Sequence, residues 1–363
     1  MAEEKKEKKL DPKAVSIDPV TVELLQKAQE AGIETIWDRA EKMKPCPIGE
    51  EGACCRICSQ GPCRVPKPKK AGEDVKSRMG LCGATAETIV ARNFARMVAC
   101  GSASHNDHSR GVALLFKEVA HGRAQGYQIK DVAKLKKIAK DWDVAITEGE
   151  GDDKKARSVE AIAQEMADKV LKMFGQQAGE LQYVKRAPKK RQEIWRAEGV
   201  VPRGCDIEIV ELMHRTHMGV DQEYKNIIKQ CTRTALSDGW GGSMISTDLQ
   251  DILFGMPVPV SGEINLGVLK EDHVNIIIHG HEPLLPEMIY VATQEPEMIQ
   301  YAQNKGAKGI QMAGMCCSAN EILMRHGIPI AGNYLQQELA MITGAVDAMV
   351  VDVQCEMQSL ANI

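Results

Sequence analysis

The segment from Cys46 to Cys63 reads CPIGEEGACCRICSQGPC and holds five cysteines in eighteen residues; another, Cys82, follows after eighteen intervening residues. So many thiols beside Gly and Pro constrain the fold, because they serve either disulfides or a bound metal. The chain has twelve cysteines and begins MAEEKKEKKL, which lacks the apolar core of a secretory signal. We therefore expect a reducing compartment, the cytoplasm, where metal binding is favoured over disulfides.

Charge and aromatic content bound the classes of function. The chain has 363 residues, a formal net charge of −4 and 4% aromatic residues. This charge does not attract nucleic acid, and so few aromatics offer no stacking platform for bases, so we expect no nucleic-acid partner. No apolar run reaches the roughly 18 residues that a membrane span needs, so we also expect no membrane span.

The N-terminal part of the sequence has helical patterns. Residues 1–15 are rich in Lys and Glu and are expected to be a disordered tail. A first helix is predicted to start after Asp18 and to continue through VTVELLQKAQEAGIETIWDRAEKM. Further on, one helix is predicted to end at Gly101 and the next to start at Ser104, which has capping-box spacing.

From residue 239 the pattern changes. The short apolar runs VNIII, GIQMAG, IPIAG and AMVVDV predict four buried strands with helices between them, which is typical of a parallel, doubly wound sheet. We predict an α+β multidomain fold: a helical N-terminal domain over residues 16–238, followed by a Rossmann-like parallel α/β domain over residues 239–363. The helical domain carries the cysteine-rich loop at 46–82, with PKPKKAGEDVK as a surface insertion.

The cysteine spacing predicts an iron–sulfur cluster. Zinc sites usually present two C-x2-C pairs, whereas this segment has one, and four-iron clusters take three thiolates from a compact loop and a fourth from farther along. The four that fit this pattern are Cys55, Cys58, Cys63 and Cys82. A zinc loop or buried free thiols are the alternatives.

Two cysteines of the segment remain, Cys46 and Cys54. Two thiolates cannot complete a four-ligand site, but two copies of the pair can do so across the two-fold axis of a homodimer. Burial of Cys46 as a free thiol is the alternative.

A second group of ligands follows the predicted strands. His279 and His281 end the first strand, Cys316 and Cys317 follow the second, and Cys355 follows the fourth. Ligands bind at the carboxyl edge of an open parallel sheet, and thiolate with imidazole suits iron, nickel or zinc. The sequence therefore predicts a metal site at this edge, to which the chain contributes only part of the ligands.

Two histidines are candidates for proton transfer. His105 and His108 lie one turn apart at the predicted start of a helix, where the helix dipole lowers the pKa of an imidazole. This favours a neutral base near pH 7. Arg233, Asp238 and the GWGG turn either orient a site or make a tight connection.

These motifs together resemble nickel–iron–sulfur carbon monoxide dehydrogenase of the anaerobic type. The matching stretches run in family order from about residue 20 to the end: CPIGEEGACCRICSQGPCRV, LCGA, HNDH, DGWGGS, IIIHGHEP, GMCCSANE and VDVQC.

The resemblance implies a role for each motif. Cys46 and Cys54 resemble the pair that shares a cluster at the dimer axis, and the other four loop cysteines resemble the ligands of one 4Fe-4S cluster per chain. His281 and Cys317 resemble the ligands of the unique iron of the nickel–iron–sulfur active cluster, Cys355 resembles a ligand of its cubane part, and Cys316 is adjacent. His105 resembles the acid/base residue, and His108 the next residue on a proton path. The loop before Cys82 is longer than is usual in the family.

The resemblance implies reversible oxidation of carbon monoxide with water to carbon dioxide, two protons and two electrons. It also implies a homodimer, a ferredoxin-type electron acceptor and an association with an acetyl-CoA synthase subunit. Family members carry a second α/β domain with further cluster ligands, so we expect this chain to correspond to the N-terminal part with a partial ligand set. The alternatives are a hybrid-cluster reductase of hydroxylamine and a non-catalytic electron relay.

Overall fold

A computed structural model describes residues 10–66, 78–149 and 153–363. The chain forms two compact units: a helical unit, Pro45–Met256, and a sheet unit made of the described residues up to Lys44 together with Pro257–Ile363. The predicted insertion at 66–76 and the long loop before Cys82 fall almost wholly outside the described residues, as does the tail up to residue 9. Residues 12–15, predicted to be disordered, form a short helix.

The described residues contain fifteen α-helices and eight strands. The helices are α1 (Pro12–Val15), α2 (Pro19–Ala31), α3 (Ile36–Lys42), α4 (Pro47–Glu50), α5 (Ala86–Ala120), α6 (Val132–Asp141), α7 (Val159–Phe174), α8 (Lys189–Glu198), α9 (Cys205–Arg215), α10 (Tyr224–Ser237), α11 (Ser243–Phe254), α12 (Leu284–Thr293), α13 (Pro296–Asn304), α14 (Cys316–His326) and α15 (Gln337–Ile342). The strands are β1 (Cys54–Cys55), β2 (Cys63–Arg64), β3 (Thr147–Glu148), β4 (Lys155–Ala156), β5 (Val274–Gly280), β6 (Ile310–Met315), β7 (Ile330–Gly332) and β8 (Ala348–Val351).

The sheet unit is built on four parallel strands in the order β7-β6-β5-β8. One face packs against α2 and α15, where Leu25 and Leu339 join Ile277 and Ala313 in one buried cluster. On the other face Ile278 packs with residues of α12 and α14. Helices cover both faces, as in other parallel sheets, which confirms the predicted α/β architecture.

The first predicted helix is wrong in length and in placement. Asp18 caps α2 as expected, but Gly32 adopts the left-handed conformation with φ 70° and ends the helix there. A capping box between Thr35 and Asp38 then starts α3. Because Leu25 packs on the sheet, these helices belong to the sheet unit and not to the helical domain predicted over 16–238.

The helical unit is organised around α5, a single helix of 35 residues and about 52 Å. Helices α7, α9, α10 and α11 pack along it. Its small buried residues, among them Ala91, Ala95 and Ala99, contact Leu212 of α9 and Ile227 of α10. Small side chains on this face let the neighbouring helices approach closely.

The predicted break of α5 between Gly101 and Ser104 is wrong. Both residues lie inside the helix, where the Ser104 hydroxyl donates to the carbonyl of Cys100 one turn earlier instead of capping a helix start. A lone glycine costs only about 1 kcal/mol in a helix, which packing on both sides of it exceeds. His105 and His108 therefore lie in the middle of a helix.

The predicted boundary at 238/239 falls inside continuous helical structure. Helix α10 ends at Ser237, a π-helical turn spans Asp238–Gly242, and α11 follows at once. The C-terminal part of the sheet unit begins only at Pro257 and runs to Ile363. The motif DGWGGS is thus a π-turn within the helical unit.

Candidate metal centres

Four cysteines of the helical unit surround one cavity. Strands β1 and β2 pair antiparallel, with Cys55 opposite Cys63. Gly61, in the loop between the two strands, lies so close to Cys55 that a Cβ on it would stand 3.0 Å from the Cys55 carbonyl oxygen. The cavity has a volume of about 220 Å3. Its cysteine lining is Cys55, Cys58, Cys63 and Cys82. These are the four that the spacing selects.

The surroundings of these sulfur atoms suit thiolate ligands. The backbone N–H of Leu81 donates to Cys63 Sγ at 3.4 Å. Burial raises the pKa of Cys82, but hydrogen bonds from the Ala84 backbone and from Arg92 outweigh it and leave this pKa below its usual value. N–H donors to cluster sulfur are a feature of iron–sulfur sites, so the cavity and its donors fit a four-iron cluster.

Cys46 and Cys54 do not line this cavity. Cys46 is exposed at the N-cap of α4, where the backbone N–H groups of Gly49 and Ile48 lower the pKa of its thiol. Cys54 lies in β1, and its carbonyl accepts a hydrogen bond from Asn93 of α5 at 2.9 Å. The alternative of a buried Cys46 is wrong.

In the sheet unit, strand ends bring the second group of cysteines together. Cys316 begins α14 directly after β6, with φ 60°, and forms a bridge with Gly280 at the end of β5. The Cys316 thiol hydrogen-bonds with Cys355, which follows β8. Burial, with the nearby Cys355 and Cys317 thiols, raises the pKa of Cys316 to about 12. Burial and Cys355 also raise the pKa of Cys317.

The carboxylate of Asp352 connects the segments that carry these ligands. It follows β8, and its Oδ1 accepts hydrogen bonds from the backbone N–H of His281 at 2.6 Å and of Glu282 at 3.2 Å. Its Oδ2 accepts from the Ser318 hydroxyl at 2.7 Å. One side chain therefore ties the loop after β5, the start of α14 and the loop before Cys355.

The two histidines of the HGH motif differ in position. His279 is fully buried, and its Nε2 lies 3.1 Å from Gln337 Oε1, while its Nδ1 has no hydrogen-bond partner within the described ranges. The amide of Gln337 also donates to the carbonyl of Cys355 at 3.0 Å. His281 lies one position beyond β5 and is partly exposed at the sheet edge. Its position makes His281 the better candidate ligand.

Among the residues that the structure describes, no group of three or more His, Cys, Asp or Glu side chains converges as a single metal ion requires. Ligands of a multi-iron cluster bind different iron atoms and do not need to meet at one point. The Cys316 and Cys317 thiols, whose pKa values are raised by burial and by neighbouring thiols, lose their protons when a metal cation binds in their place. This donor set is soft, as a nickel–iron–sulfur group requires.

His105 is held by a carboxylate. Its Nδ1 lies 3.0 Å and 3.1 Å from the two oxygens of Asp238, in the π-turn, and Ser243 donates to the same carboxylate. The hydrogen bond that His105 donates to the Asp238 carboxylate raises the pKa of His105 against the effect of burial. The prediction that a helix N-terminus lowers this pKa is wrong, because the residue lies in mid-helix beside an acidic partner. Asp238 thus orients the imidazole, one of the two roles that the sequence left open for it.

The π-turn places α5 and Asp238 close together. A Cβ on Gly242 would stand 2.1 Å from Asn106 Oδ1, so only glycine allows this approach. Ser109 of α5 donates to the Gly242 carbonyl across the same contact. One turn after His105, the buried His108 has its Nε2 2.9 Å from the amide nitrogen of Gln250. Single-turn π-helices occur often at functional sites, which agrees with this one.

Sequence reasoning missed several residues of these sites. Asp352, Gln337 and Ser318 organise the sheet edge, and Arg92 borders the cysteine cavity. For Asp352 a signal exists, since it is the one charged residue of the predicted strand AMVVDV and lies three residues before the predicted ligand Cys355. Nothing in the local sequence distinguishes Arg92 from other helical arginines.

Comparison with known proteins identifies the family. The profile of the Prismane/CO dehydrogenase family matches residues 53–363. The chain therefore belongs to the Prismane/CO dehydrogenase family, which confirms the resemblance seen in the motifs. In the described residues, no helix is long and apolar enough to cross a membrane.

Its relatives include named dehydrogenases. The chain is 52% identical to carbon monoxide dehydrogenase 1 of Methanosarcina mazei over 96% of its own length and 54% of the relative's. It is 45% identical to carbon monoxide dehydrogenase 1 of Carboxydothermus hydrogenoformans, covering 96% and 53%. A nickel-free carbon monoxide dehydrogenase structure from Thermococcus sp. AM4 superposes with a TM-score of 0.90 at 46% identity, covering 98% and 55%. The chain spans about half the length of the relatives it matches.

Proposed function

We propose that this chain takes part in the oxidation of carbon monoxide with water to carbon dioxide, two protons and two electrons. The observation that carries the proposal is the sheet edge, where Asp352 hydrogen-bonds to the segments that carry His281 and Cys317, and where the Cys316 thiol hydrogen-bonds with Cys355. The relatives named carbon monoxide dehydrogenase support it.

The proposed ligands of the active cluster are His281, Cys317 and Cys355, with Cys316 beside them. When bound, a nickel–iron–sulfur cluster supplies a soft metal for the carbon atom and a Lewis-acidic iron that lowers the pKa of water. The chain's own contribution is to hold three strand ends in one arrangement before any ligand binds. Asp352 does this through hydrogen bonds to the segments of His281 and Cys317.

Proton removal is assigned to His105. With Nδ1 directed at Asp238, Nε2 is the nitrogen that takes the proton, as in other histidine–aspartate pairs. The raised pKa makes the imidazole a stronger base than an ordinary histidine. His108, one turn on and in contact with Gln250, is the proposed next residue on the proton path.

Electron removal is assigned to the loop cysteines. The four that line the cavity would hold one 4Fe-4S cluster per chain, and Cys46 with Cys54 would share another across the axis of a homodimer. Cys46 is exposed and Cys54 is partly exposed, and an exposed apolar stripe on α5, formed by Val90, Phe94 and Met97, lies beside the segment of Cys54. A ferredoxin-type protein is the proposed acceptor, in the cytoplasm that the free thiols favour.

An acetyl-CoA synthase subunit is a further proposed partner. A relative 42% identical to this chain is named carbon monoxide dehydrogenase/acetyl-CoA synthase subunit beta, from Moorella thermoacetica. Two other functions compete: reduction of hydroxylamine at a hybrid cluster, and electron relay without catalysis. The accessible pair Cys46 and Cys54 favours the dehydrogenase over the hybrid-cluster reductase.

The test is a substrate comparison on protein produced anaerobically with iron and nickel. Reduction of methyl viologen by carbon monoxide is expected, and His105→Gln, which keeps a polar side chain but removes the base, should lower the rate about 10²- to 10⁴-fold. Reduction of hydroxylamine without carbon monoxide oxidation would favour the hybrid-cluster function. Reversible iron reduction with neither activity would favour the electron relay.

A further inference from the structure

Arg92 is a buried cation beside the cysteine cavity. It lies on α5, its side chain is 1% exposed, and it forms part of the cavity lining. Its Nη1 is 4.0 Å from Cys82 Sγ, and its Nη2 donates to Gln222 Oε1 at 3.3 Å. Its Nε has no hydrogen-bond partner in the part of the chain that the structure describes.

The guanidinium also lacks an acidic partner there. Other well-shielded cations of this unit are paired, for example Lys134 with Asp248 and Asp251. Within the described residues, Arg92 makes hydrogen bonds only to a neutral amide and to a sulfur atom. Since a buried charge without a counter-charge costs several kcal/mol, a balancing negative charge is required close by.

We propose that Arg92 is the counter-charge of the loop cluster and sets its reduction potential. This inference rests on the proposed 4Fe-4S cluster in the cavity of Cys55, Cys58, Cys63 and Cys82. A four-iron cluster with four thiolates is a dianion, and uptake of one electron makes it a trianion. A fixed positive charge beside a ligand sulfur stabilises the reduced form more than the oxidised form, because the attraction grows with the negative charge.

The consequence concerns the direction of electron flow. A higher potential favours the arrival of electrons at this cluster from the site where carbon monoxide is oxidised, and no proton or further reactant is needed for the transfer. Arg92 acts on the cluster through the ligand Cys82, so we assign it the role of tuning the reduction potential and not of transferring a proton.

The test is a redox titration followed by EPR, on protein in which Cys46→Ser removes the proposed shared cluster. Arg92→Met removes the charge and keeps the length of the side chain, whereas Arg92→Lys keeps the charge. Arg96→Met is the matched control, since it removes the same charge one helical turn away, outside the cavity lining. Arg92→Gln replaces Arg92→Met if the methionine variant does not fold.

We expect Arg92→Met to lower the equilibrium constant for cluster reduction about tenfold, which corresponds to about 59 mV for one electron. Arg92→Lys should stay close to wild type, and Arg96→Met should shift the potential clearly less than Arg92→Met does. An unchanged potential in Arg92→Met, with iron and sulfide still bound, overturns the inference and leaves the proposed function intact. Absence of cluster iron and sulfide from the wild-type protein overturns the proposed cluster itself, and with it this inference.

A second measurement compares stability with and without the cluster. Without the cluster, Arg92→Met relieves an uncompensated buried charge, whereas with the cluster it removes an attraction. The rise in melting temperature on cluster loading should therefore be smaller in Arg92→Met than in wild type. An equal rise in both proteins contradicts the counter-charge role.

Discussion

The acid–base properties of His105 depend on one neighbour. Asp238 holds its Nδ1 and raises its pKa, and both residues come from elements that Gly242 allows to approach closely. A raised folded-state pKa adds stability that is fully present below the ordinary value of 6.5 and is lost as the pH rises through the folded-state pKa. The neutral base is present only above that folded-state pKa, so activity should rise with pH in this range.

Asp238→Asn tests this coupling. Loss of the charge should return the pKa of His105 towards 6.5, and the acid limb of the pH–rate profile should move to lower pH. NMR titration of the His105 ring measures the pKa directly, and the rate profile measures its effect. A pKa of His105 that is equal in the variant and the wild type would contradict the pairing.

The close approach at Gly242 gives a second test. Gly242→Ala should destabilise the fold by roughly 1–3 kcal/mol, because its Cβ would overlap Asn106. Gly239→Ala is the matched control in the same π-turn, since a Cβ there meets nothing within 4 Å. Urea unfolding measures both variants, and equal midpoints for the two would show that the contact does not determine stability.

At the scale of single residues, sequence reasoning selected His105 for the wrong physical reason. The motif HNDH marked the residue, but the expected helix start is absent, because packing carries α5 through Gly101. The partner Asp238 lies more than one hundred residues away in sequence, so no local pattern links the pair. The spacing of the loop cysteines, by contrast, was sufficient to select the four that line one cavity.

At the scale of elements, the strand ends of the sheet unit depend on Asp352. It accepts hydrogen bonds from two neighbouring segments, and a Cβ on Gly280 would collide with its carboxylate, so β5 and β8 meet here without a side chain between them. Pairing of β5 with β8 ends at His279 and Val351. Beyond this pair, hydrogen bonds to the Asp352 side chain continue the connection between the two segments.

Asp352→Asn should disorganise this edge. An amide supplies one acceptor oxygen where the carboxylate supplies two, so one of its donors loses a partner, at a cost of roughly 1–3 kcal/mol. We expect a lower thermal stability and less bound nickel and iron per chain. Asp347→Asn is the control, because Asp347 accepts from the Asn275 backbone at the opposite end of β8. Equal metal content in the two variants would contradict the role of Asp352.

The sequence predicted the strands of the sheet unit well, and the predictions that failed did so for physical reasons. The four strands and their parallel arrangement follow from short apolar runs between helices. The placement of α2 on the sheet does not, because an amphipathic helix shows that one face is buried but not against which partner. The apolar stripe of α5 is a further example of this limit, because its residues share one face of the helix and are exposed.

At the scale of the whole molecule, this stripe supports the proposed homodimer. Val90, Phe94 and Met97 recur on one side of α5 and are 40%, 49% and 73% exposed. A Cβ on Gly52, two residues before Cys54, would touch Val90. The stripe therefore lies beside the segment that carries Cys54, and we propose that a second copy of the chain, with the same thiols, covers it.

Met97→Glu should weaken this association. A buried charge at the interface is costly, so we expect the dimer to dissociate at concentrations at which the wild type remains dimeric, as measured by sedimentation. Leu114→Glu is the control, since it introduces the same charge at an exposed residue on a different side of α5. Dissociation of both variants alike, or of neither, would contradict an interface at the stripe.

We propose that this chain holds the clusters of a carbon monoxide dehydrogenase, and its metal content is the test of that proposal. Iron, nickel, zinc and acid-labile sulfide should be measured per chain on anaerobically prepared protein. We expect about six irons per chain from the loop cluster and half of the shared cluster, further iron together with nickel from the nickel–iron–sulfur cluster, and matching sulfide. Zinc without sulfide would contradict it, because the cysteines would then form an ordinary zinc site.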